Sequence, residues 1–467
     1  MALEDVLAHL RSRHDEVLEE LIEFAAIPSV GADPARAPRM REAARWVAGR
    51  LAAAGPLSAR TVETEGQPVV YGEWLGAPGR PTVLVYGHYD VQPEDPVEKW
   101  ESPPFEPALR DGRLYARGVS DDKGPMLIPI EVARSFFETD GALPVNVKFM
   151  FEGEEEVGSP SLDAFIRGHE ALLSADAVLS ADGAMWRPDE PSLVLGSRGV
   201  AALEFTLTGA AKDLHSGRHG GGIANPLHAM AELVASLHDP DGRVAVAGFY
   251  DRVRDLPPAE REAIRAMPFD EAAYLAELGA PAAVGEAGYS TLERQWIRPT
   301  LEVNGMWGGY QGPGGKTVIP AAAHAKLTCR LVHDQDPDEI VERVARHLES
   351  HRPAGVRLTV RPGAGRAGAA RIEPDHFVVR AARRALSDVY GVEPLLVRVG
   401  STVPISELFE RHMGLRTLFF SFSTADEDFH APNEFFRVRR LHEGLEAWAR
   451  LWERLAETRA GEPAPAS

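Results

Sequence analysis

The stretch Thr82-Val83-Leu84-Val85-Tyr86-Gly87-His88-Tyr89-Asp90-Val91-Gln92-Pro93 runs from a short apolar segment directly into a histidine and a carboxylate. Thr82 to Tyr86, bounded by Pro81 and Gly87, has the pattern of a strand buried on both faces of a parallel sheet. Open α/β sheets carry their chemistry on the loops beyond the strand ends. His88 and Asp90 therefore stand where a reactive or ligating group is expected. Asp121-Asp122, Glu154-Glu155-Glu156, Asp182 and His430 each lie in the same situation, at the end of an apolar run or in a Gly-rich turn.

Outward from this stretch, the spacing predicts one amphipathic helix over Leu3–Phe24, stopped by Pro28, and another over Met40–Ala54. Strands follow at Val69–Trp74 and Val145–Phe151, with a helix over Pro125–Phe137. Alternating strands and helices imply an α/β fold with a mainly parallel sheet flanked by helices. Near Gly199 the period changes: Leu203, Phe205 and Leu207 alternate with Glu204, Thr206 and Thr208, as in a strand with one wet face. A helix over Pro226–His238, a polar helical insertion at Pro258–Leu278, strands at Thr300–Val303, Ala325–Val332 and Val356–Val360, and a helix over Pro337–Ser350 complete an α+β inventory. Arg361–Ala370, rich in Gly and Ala, reads as its exit linker. The first pattern resumes at Ile372 with a helix through Val389, strands at Leu395–Val397 and Thr417–Phe420, and a closing helix over Val438–Arg459. Residues 1–196 and 371–467 are thus expected to form one domain, and 197–370 a second domain inserted into it. The Pro/Ala-rich tail Gly461–Ser467 reads as disordered.

The chain has 467 residues, beyond the roughly 250–300 at which a single core stops growing, so two domains are the expectation. With 44% hydrophobic residues it has the apolar content for two cores. Its 70 acidic against 50 basic residues give a formal charge of -20, a mean field that repels nucleic acid and anionic membranes. The single cysteine, Cys329, excludes an intrachain disulfide and leaves metal ligation to histidines and carboxylates. No signal-peptide pattern precedes the first helix and no apolar run approaches the roughly 18 residues that span a bilayer. The expectation is a soluble, cytoplasmic protein.

Two divalent cations about 3.5–4 Å apart require histidines and carboxylates from several strand ends, one carboxylate bridging and a free one for proton transfer. His88 has Asp90 two residues on, placed to accept the other imidazole N–H and fix a ligating tautomer. Asp121 is the better ligand of its pair, while Asp122 is either a ligand neighbour or the N-cap of the helix that follows Lys123-Gly124-Pro125. Glu154-Glu155-Glu156 is either a solvated charge run or a cluster whose repulsion a cation or proton offsets. Asp182-Gly183 repeats the strand-end arrangement but is also an ordinary turn sequence. In the second domain Lys326, Thr328 and Arg330 share a strand face opposite Leu327, Cys329 and Leu331. Arg330 suits either a substrate carboxylate or a structural ion pair.

Taken in order, Tyr86 to Pro93, Trp100-Glu101-Ser102-Pro103-Pro104-Phe105, Arg117-Gly118-Val119-Ser120-Asp121-Asp122-Lys123-Gly124, Glu152-Gly153-Glu154-Glu155-Glu156, Leu214-His215-Ser216-Gly217, Lys316-Thr317-Val318-Ile319-Pro320 and His430-Ala431-Pro432-Asn433-Glu434 resemble the co-catalytic zinc peptidases. That family is typified by carnosine dipeptidases and glutamate carboxypeptidases, and also includes aminoacylases and succinyl-diaminopimelate desuccinylases. The resemblance spans about Pro28 to Glu434 and is closest to the dipeptidase branch. It implies His88 and Asp182 on one metal, Glu156 and His430 on the other, and Asp121 bridging. It further implies Glu155 as general base, Asp90 as partner of His88, a cis Asp121–Asp122 peptide, and His215 as an oxyanion donor. Arg330, Thr317 and Thr402 fall at substrate-binding positions. The inserted segment matches the family's lid and dimerisation domain, so a homodimer is implied, and the cofactors are two divalent ions, Zn2+ first, with Mn2+ or Co2+ as substitutes. The expected activity is hydrolysis of dipeptides, or of the C-terminal bond of short peptides, by a metal-activated water. An N-acyl amino acid amidohydrolase on the same scaffold shares every metal ligand and is the alternative. Ser401, in Arg398-Val399-Gly400-Ser401-Thr402, replaces a glycine usual in dipeptidases and puts the substrate contacts of that loop in question.

Overall fold

Thr82–His88 forms a strand, with Val83 to His88 all buried, in a computed structural model that describes residues 3–458. It lies inside an eight-stranded sheet with the order Arg60–Val62, Val69–Trp74, Asn146–Glu152, Thr82–His88, Ala177–Ser180, Thr417–Phe419, Ser192–Val194, Leu395–Val397. Asn146–Glu152 and Ala177–Ser180 run parallel to it, and Thr417–Phe419 runs parallel to Ala177–Ser180. Antiparallel pairs occur toward the edges, at Val69–Trp74 against Asn146–Glu152 and Arg60–Val62 against Val69–Trp74. Parallel strands finish on one edge of a sheet, and here the registers His88 to Glu152, Tyr86 to Ser180 and Ser180 to Phe419 bring four C-terminal ends together. The α/β architecture expected from the alternation is therefore present.

The helices Gly124–Asp140, Phe377–Tyr390 and Val438–Ala456 belong to the same core as the sheet. On the last, Leu441, Leu445, Trp448, Trp452 and Leu455 recur at helical spacing and are all buried. Trp448 meets Phe420 edge-on at 5.2 Å and Trp452 at 6.2 Å between ring centroids. Each such side chain contributes about 1.5–3 kcal/mol by leaving water.

The N-terminal helix departs from expectation. It is two helices, Leu3–Ser12 and His14–Ala25, broken at Arg13. The Arg13 guanidinium is buried and bonds to Glu131 at 2.8 Å and Glu16 at 3.0 Å. The apolar period reads through the break because Val6, Leu10, Val17 and Leu21 all remain buried on either side of it.

The chain forms two compact units. The first runs to Leu195 and resumes at Arg371–Val397 and from Leu408; the second is Gly196–Ala370 together with Arg398–Glu407. The second contains an antiparallel sheet with the order Thr300–Gly308, Ala322–Leu331, Gly199–Thr208, Arg357–Ala367. Leu203, Phe205 and Leu207 face its core with residues of the helices Pro226–Ala235 and Pro337–Ser350. The insertion is two short helices, Pro258–Arg265 and Glu271–Leu278. Most of the expected linker Arg361–Ala370 is instead strand, continuing Arg357–Ala367 along Gly199–Thr208. Gly363 permits this, since a Cβ there would lie 2.8 Å from the Ala202 Cβ, at the bulge between Ala201 and Leu203. Arg398–Glu407, read from sequence with the resumed first domain, groups with the second unit through bonds such as Arg198 N–H to the Ser401 carbonyl at 3.0 Å. The tail Gly461–Ser467 lies outside the described residues. Among those residues, no helix is long and apolar enough to cross a membrane.

Candidate metal centre

His88 closes its strand with a buried ring whose two nitrogens have different partners. Nδ1 lies 3.0 Å from the backbone carbonyl of Asp90 and 3.4 Å from its carboxylate, so this N–H donates toward Asp90 and Nε2 is left to ligate. Nε2 lies 3.0 Å from Asp121 Oδ1. The second oxygen, Asp121 Oδ2, is 3.0 Å from His430 Nε2, which in turn is 3.2 Å from Glu156 Oε2. Asp121 thus offers one oxygen to each histidine. Two ligand sets share it, His88, Asp121, Asp182 and Asp121, Glu156, His430, each with ligand atoms within 4.8 Å of one another.

The three adjacent glutamates diverge because Glu155–Val157 is a single 3-10 turn. Glu154 points away from the ligands and accepts the backbone N–H groups of Gln67 and Ser161, each at 3.2 Å. Glu156 reaches His430 and also accepts from Gln92 Nε2 at 2.8 Å. The Glu155 carboxylate has no hydrogen bond among the described residues and feels His88, Asp182, Asp121 and Glu156. The turn is held from below by Asp90, whose two carboxylate oxygens accept the N–H groups of Glu155 at 3.2 Å and Glu156 at 3.0 Å. Asp90 therefore orients the Glu155–Glu156 turn as well as the His88 ring. The sequence showed only the second of these roles.

Asp122 is not a helix cap. The Gly124–Asp140 helix has no side-chain cap at its N-terminus, and Asp122 Oδ2 instead accepts the backbone N–H of His88 at 3.2 Å. Its peptide with Asp121 is cis. Gly87 makes room for it, since a Cβ at that position would lie 2.6 Å from Asp122 Oδ2. Glu434, quoted in the His430 motif but given no role there, joins the Asp121 and His430 loops. It accepts from Arg117 Nη1 at 2.7 Å and from the N–H groups of Gly118, Ser120 and Asp121 at 2.8, 3.0 and 3.2 Å.

The electrostatics match a cation site. Burial, opposed by His88 and reinforced by Asp182, Asp121 and Glu156, pushes Glu155 well above the usual carboxylate range. Burial likewise raises Asp182 to about 6, and hydrogen bonds with Asp121 and Glu156 raise His430 to about 10. Against its own burial, Asp121 is held well below the usual range by His430 and His88. Among the described residues, none of the carboxylates of Asp121, Glu155, Glu156 and Asp182 pairs with a lysine or arginine; Asp121 meets both imidazoles and Glu156 that of His430. Four crowded carboxylates without a basic side chain, combined with imidazole nitrogens and no thiolate, fit two divalent ions of the Zn2+, Mn2+ or Co2+ type.

In the second unit, exposed His215 pairs with Val318 in a two-residue ladder, and Ser216 N–H donates to the Thr317 carbonyl at 3.1 Å. His215 and Thr317 thus share one turn. Nearby, Ala321 N–H donates to Asp213 at 2.9 Å, just before the strand Ala322–Leu331. Arg330 lies at the other end of that strand, where its Nη1 donates to Thr402 Oγ1 at 3.0 Å. The ion pair considered for Arg330 is absent among the described residues.

Proteins of known type align over nearly the whole chain. The Cys-Gly metallodipeptidase of Schizosaccharomyces pombe is 29% identical, covering 98% of this chain and 99% of its own length. Human Beta-Ala-His dipeptidase is 30% identical, covering 97% and 93%. The crystal structure of an M20 family metallo-carboxypeptidase from Sulfolobus solfataricus superposes with a TM-score of 0.82 at 31% identity, over 95% of this chain and all of that one, 100%. Residues 84–454 match the model of Peptidase family M20/M25/M40, and with two candidate metal-ligand sets assembled at one sheet edge the chain belongs to that family of metallopeptidases.

Proposed function

We propose that this enzyme cleaves the peptide bond of dipeptides, and the C-terminal bond of short peptides, using two divalent ions, Zn2+ in the first instance. The observation that carries this reading is Asp121, which gives one oxygen to the His88 side and the other to the His430 side. His88 and Asp182 would hold one ion, and Glu156 and His430 the other. Bound there, the ions supply Lewis acidity and lower the pKa of water from 15.7 to about 7. Glu155 takes the proton from the attacking water and returns it to the leaving amine. Asp90 keeps the His88 ring and the Glu155 turn in register for that transfer. His215 donates to the oxyanion, with Thr317 beside it, and Arg330, braced by Thr402, takes the substrate carboxylate.

A homodimer and a cytoplasmic location belong to the same reading. His215 and Arg330 stand at opposite ends of Ala322–Leu331, eight steps apart from Ala322 to Arg330, or roughly 27 Å at about 3.4 Å per residue. A dipeptide spans only about 7 Å, so one copy of this unit cannot present both residues to it, and a second copy would supply His215. The outer strand Thr300–Gly308 carries exposed Val303, Met306 and Trp307, an apolar edge suited to a twofold contact. The lone buried Cys329 suits a reducing compartment.

The test is a panel of dipeptides, tripeptides and N-acetyl and N-succinyl amino acids, assayed with Zn2+, Mn2+ or Co2+ and paired with metal analysis. Dipeptides should be turned over fastest by protein holding two ions per chain. Faster cleavage of N-acyl amino acids would favour the amidohydrolase alternative, against which the dipeptidase relatives already weigh.

A further inference from the structure

Four arginines of the second unit lie on or lead to the turn from Arg398 to Thr402: Arg398 opens it, Arg198 and Arg330 bond to it, and Arg298 is bonded through its carbonyl by Arg198; they differ in their partners. Arg298 is gripped by Glu286 through two bonds of 2.7 Å, and Arg398 by Glu260 at 2.6 Å. Among the described residues, Arg198 and Arg330 have no carboxylate within ion-pair distance. Arg198 donates only to carbonyls, Nε to Gly400 at 3.3 Å and Nη1 to Arg294 and Arg298 at 3.5 Å each, while Arg330 donates to the Thr402 hydroxyl at 3.0 Å. Both are half-buried. In a chain with 70 acidic residues, two half-buried guanidiniums without a counter-charge mark a place where an anion comes from outside.

The two are near enough to act on each other. Burial, then the charge of Arg330, bring Arg198 down to about 10, with Glu302 opposing from beyond ion-pair range. The sheet accounts for the proximity: Arg198 comes two residues before Val200, which stands opposite Arg330. Arg198 also grips the turn twice, by its backbone N–H to the Ser401 carbonyl at 3.0 Å and by its guanidinium to Gly400. At Gly400 a Cβ would lie 3.0 Å from Arg198 Nη2, whereas Ser401 contributes its carbonyl and keeps its side chain exposed. The position in this turn that has little room for a side chain is therefore 400, and a serine at 401 leaves the grip intact.

We propose that Arg198 is a positioning residue of the carboxylate pocket: it fixes the Gly400–Thr402 turn so that Thr402 aims Arg330, and its charge makes the site doubly cationic. The proposal rests on Arg330 being the holder of the substrate's C-terminal carboxylate. Its consequence is selectivity for free acids over neutral C-termini, divided between two arginines of which only one touches the substrate.

The experiment compares Ala-Gly and Cys-Gly with their C-terminal amides on metal-loaded wild type, Arg198→Ala, Arg330→Ala and the double variant. Arg330→Ala and Arg198→Ala should each raise KM for the acids by about 10–100-fold, the weight of hydrogen bonds to a charged group. Saturating kcat on the acids and KM for the amides should stay within about threefold, and the double variant should lose less than the two single effects multiplied, because the two arginines are coupled. If Arg198→Ala does not fold, Arg198→Lys takes its place, keeping a charge and the backbone bond to Ser401 but losing the guanidinium's fork between the Gly400, Arg294 and Arg298 carbonyls, with the same direction of effect. Retention of acid preference in the Arg198 variant while Arg330→Ala loses it overturns the proposal, as does an equal loss on acids and amides. Retention in both variants shows instead that Arg330 does not hold the carboxylate, and the proposal falls with that assignment.

Discussion

Glu155 and Glu156 are neighbours, yet their substitution should give opposite defects. Glu155→Gln should retain both metal ions and lose at least the 10²–10⁴-fold that proton transfer is typically worth. Glu156→Gln should lose an ion, since its carboxylate lies against His430 at 3.2 Å. Metal analysis beside turnover separates them, and exchanged phenotypes would shift the assignment by one residue. Gly87→Ala should cost about 1–3 kcal/mol in urea unfolding, because its methyl would sit 2.6 Å from Asp122 Oδ2 and 2.9 Å from the Met126 Cβ, both in buried residues. Gly49→Ala, in the helix Ala37–Ala54 with nothing within 4 Å, should instead stabilise by about 0.5–1 kcal/mol. At this scale the chemistry was legible as residue type at strand ends. The grip of Asp90 on the Glu155–Glu156 turn was not, because it depends on where a backbone N–H points 65 residues later in the chain.

Elements were legible where the period was clean and failed where a charged or small residue interrupted it. The Pro337–Ser350 helix matches its predicted limits because Asp336 caps it and Pro337 opens it. The break at Arg13 was hidden by apolar residues that stay in phase, and Arg357–Ala367 was masked by the glycines that its bulge requires. The break has a measurable result. It starts the second helix at His14, which stacks on His442 of the closing helix with ring centroids 3.7 Å apart. Burial, then His442 and Arg11 against Asp15 and Glu446, hold His14 down to about 4, and burial lowers His442 as well. The unfolded chain, with an ordinary histidine near 6.5, therefore binds more protons than the folded one between about pH 6.5 and 4. The stacked pair's contribution is fully present above that window and is lost as the pH falls through it. Urea midpoints at pH 7 and pH 5 should fall further apart in wild type than in His14→Gln. Equal spacing would remove the pair from the account.

For the whole molecule, completion of the site by a second copy predicts complementation. His215→Ala leaves its own metal ligands sound, and Glu155→Gln leaves its own His215 turn sound. Mixed under conditions that exchange subunits, the two inactive variants should recover up to about half of wild-type activity, since one site in each mixed pair would carry both intact parts. Exchange without recovery, or a monomer at working concentration, would return His215 to an ordinary surface position. The chain order of the proposed ligands carries a different consequence. His88, Asp121, Glu156 and Asp182 precede the second unit, while His430 follows it, on a stretch where Asp428, His430 and Asn433 hold φ of 55°, 58° and 67°. Left-handed backbone at such residues persists only where its surroundings impose it. A shared cation pair is then a clasp between the beginning and the end of the chain, closing a very long loop. Treated with a chelator, the protein should lose melting temperature and be cut by an aspartate-specific protease at Asp426 or Asp428, sites that the metal-loaded form resists. In a cell, scarcity of divalent ions would then shorten the enzyme's lifetime as well as silence it, so that its abundance would follow the metal supply.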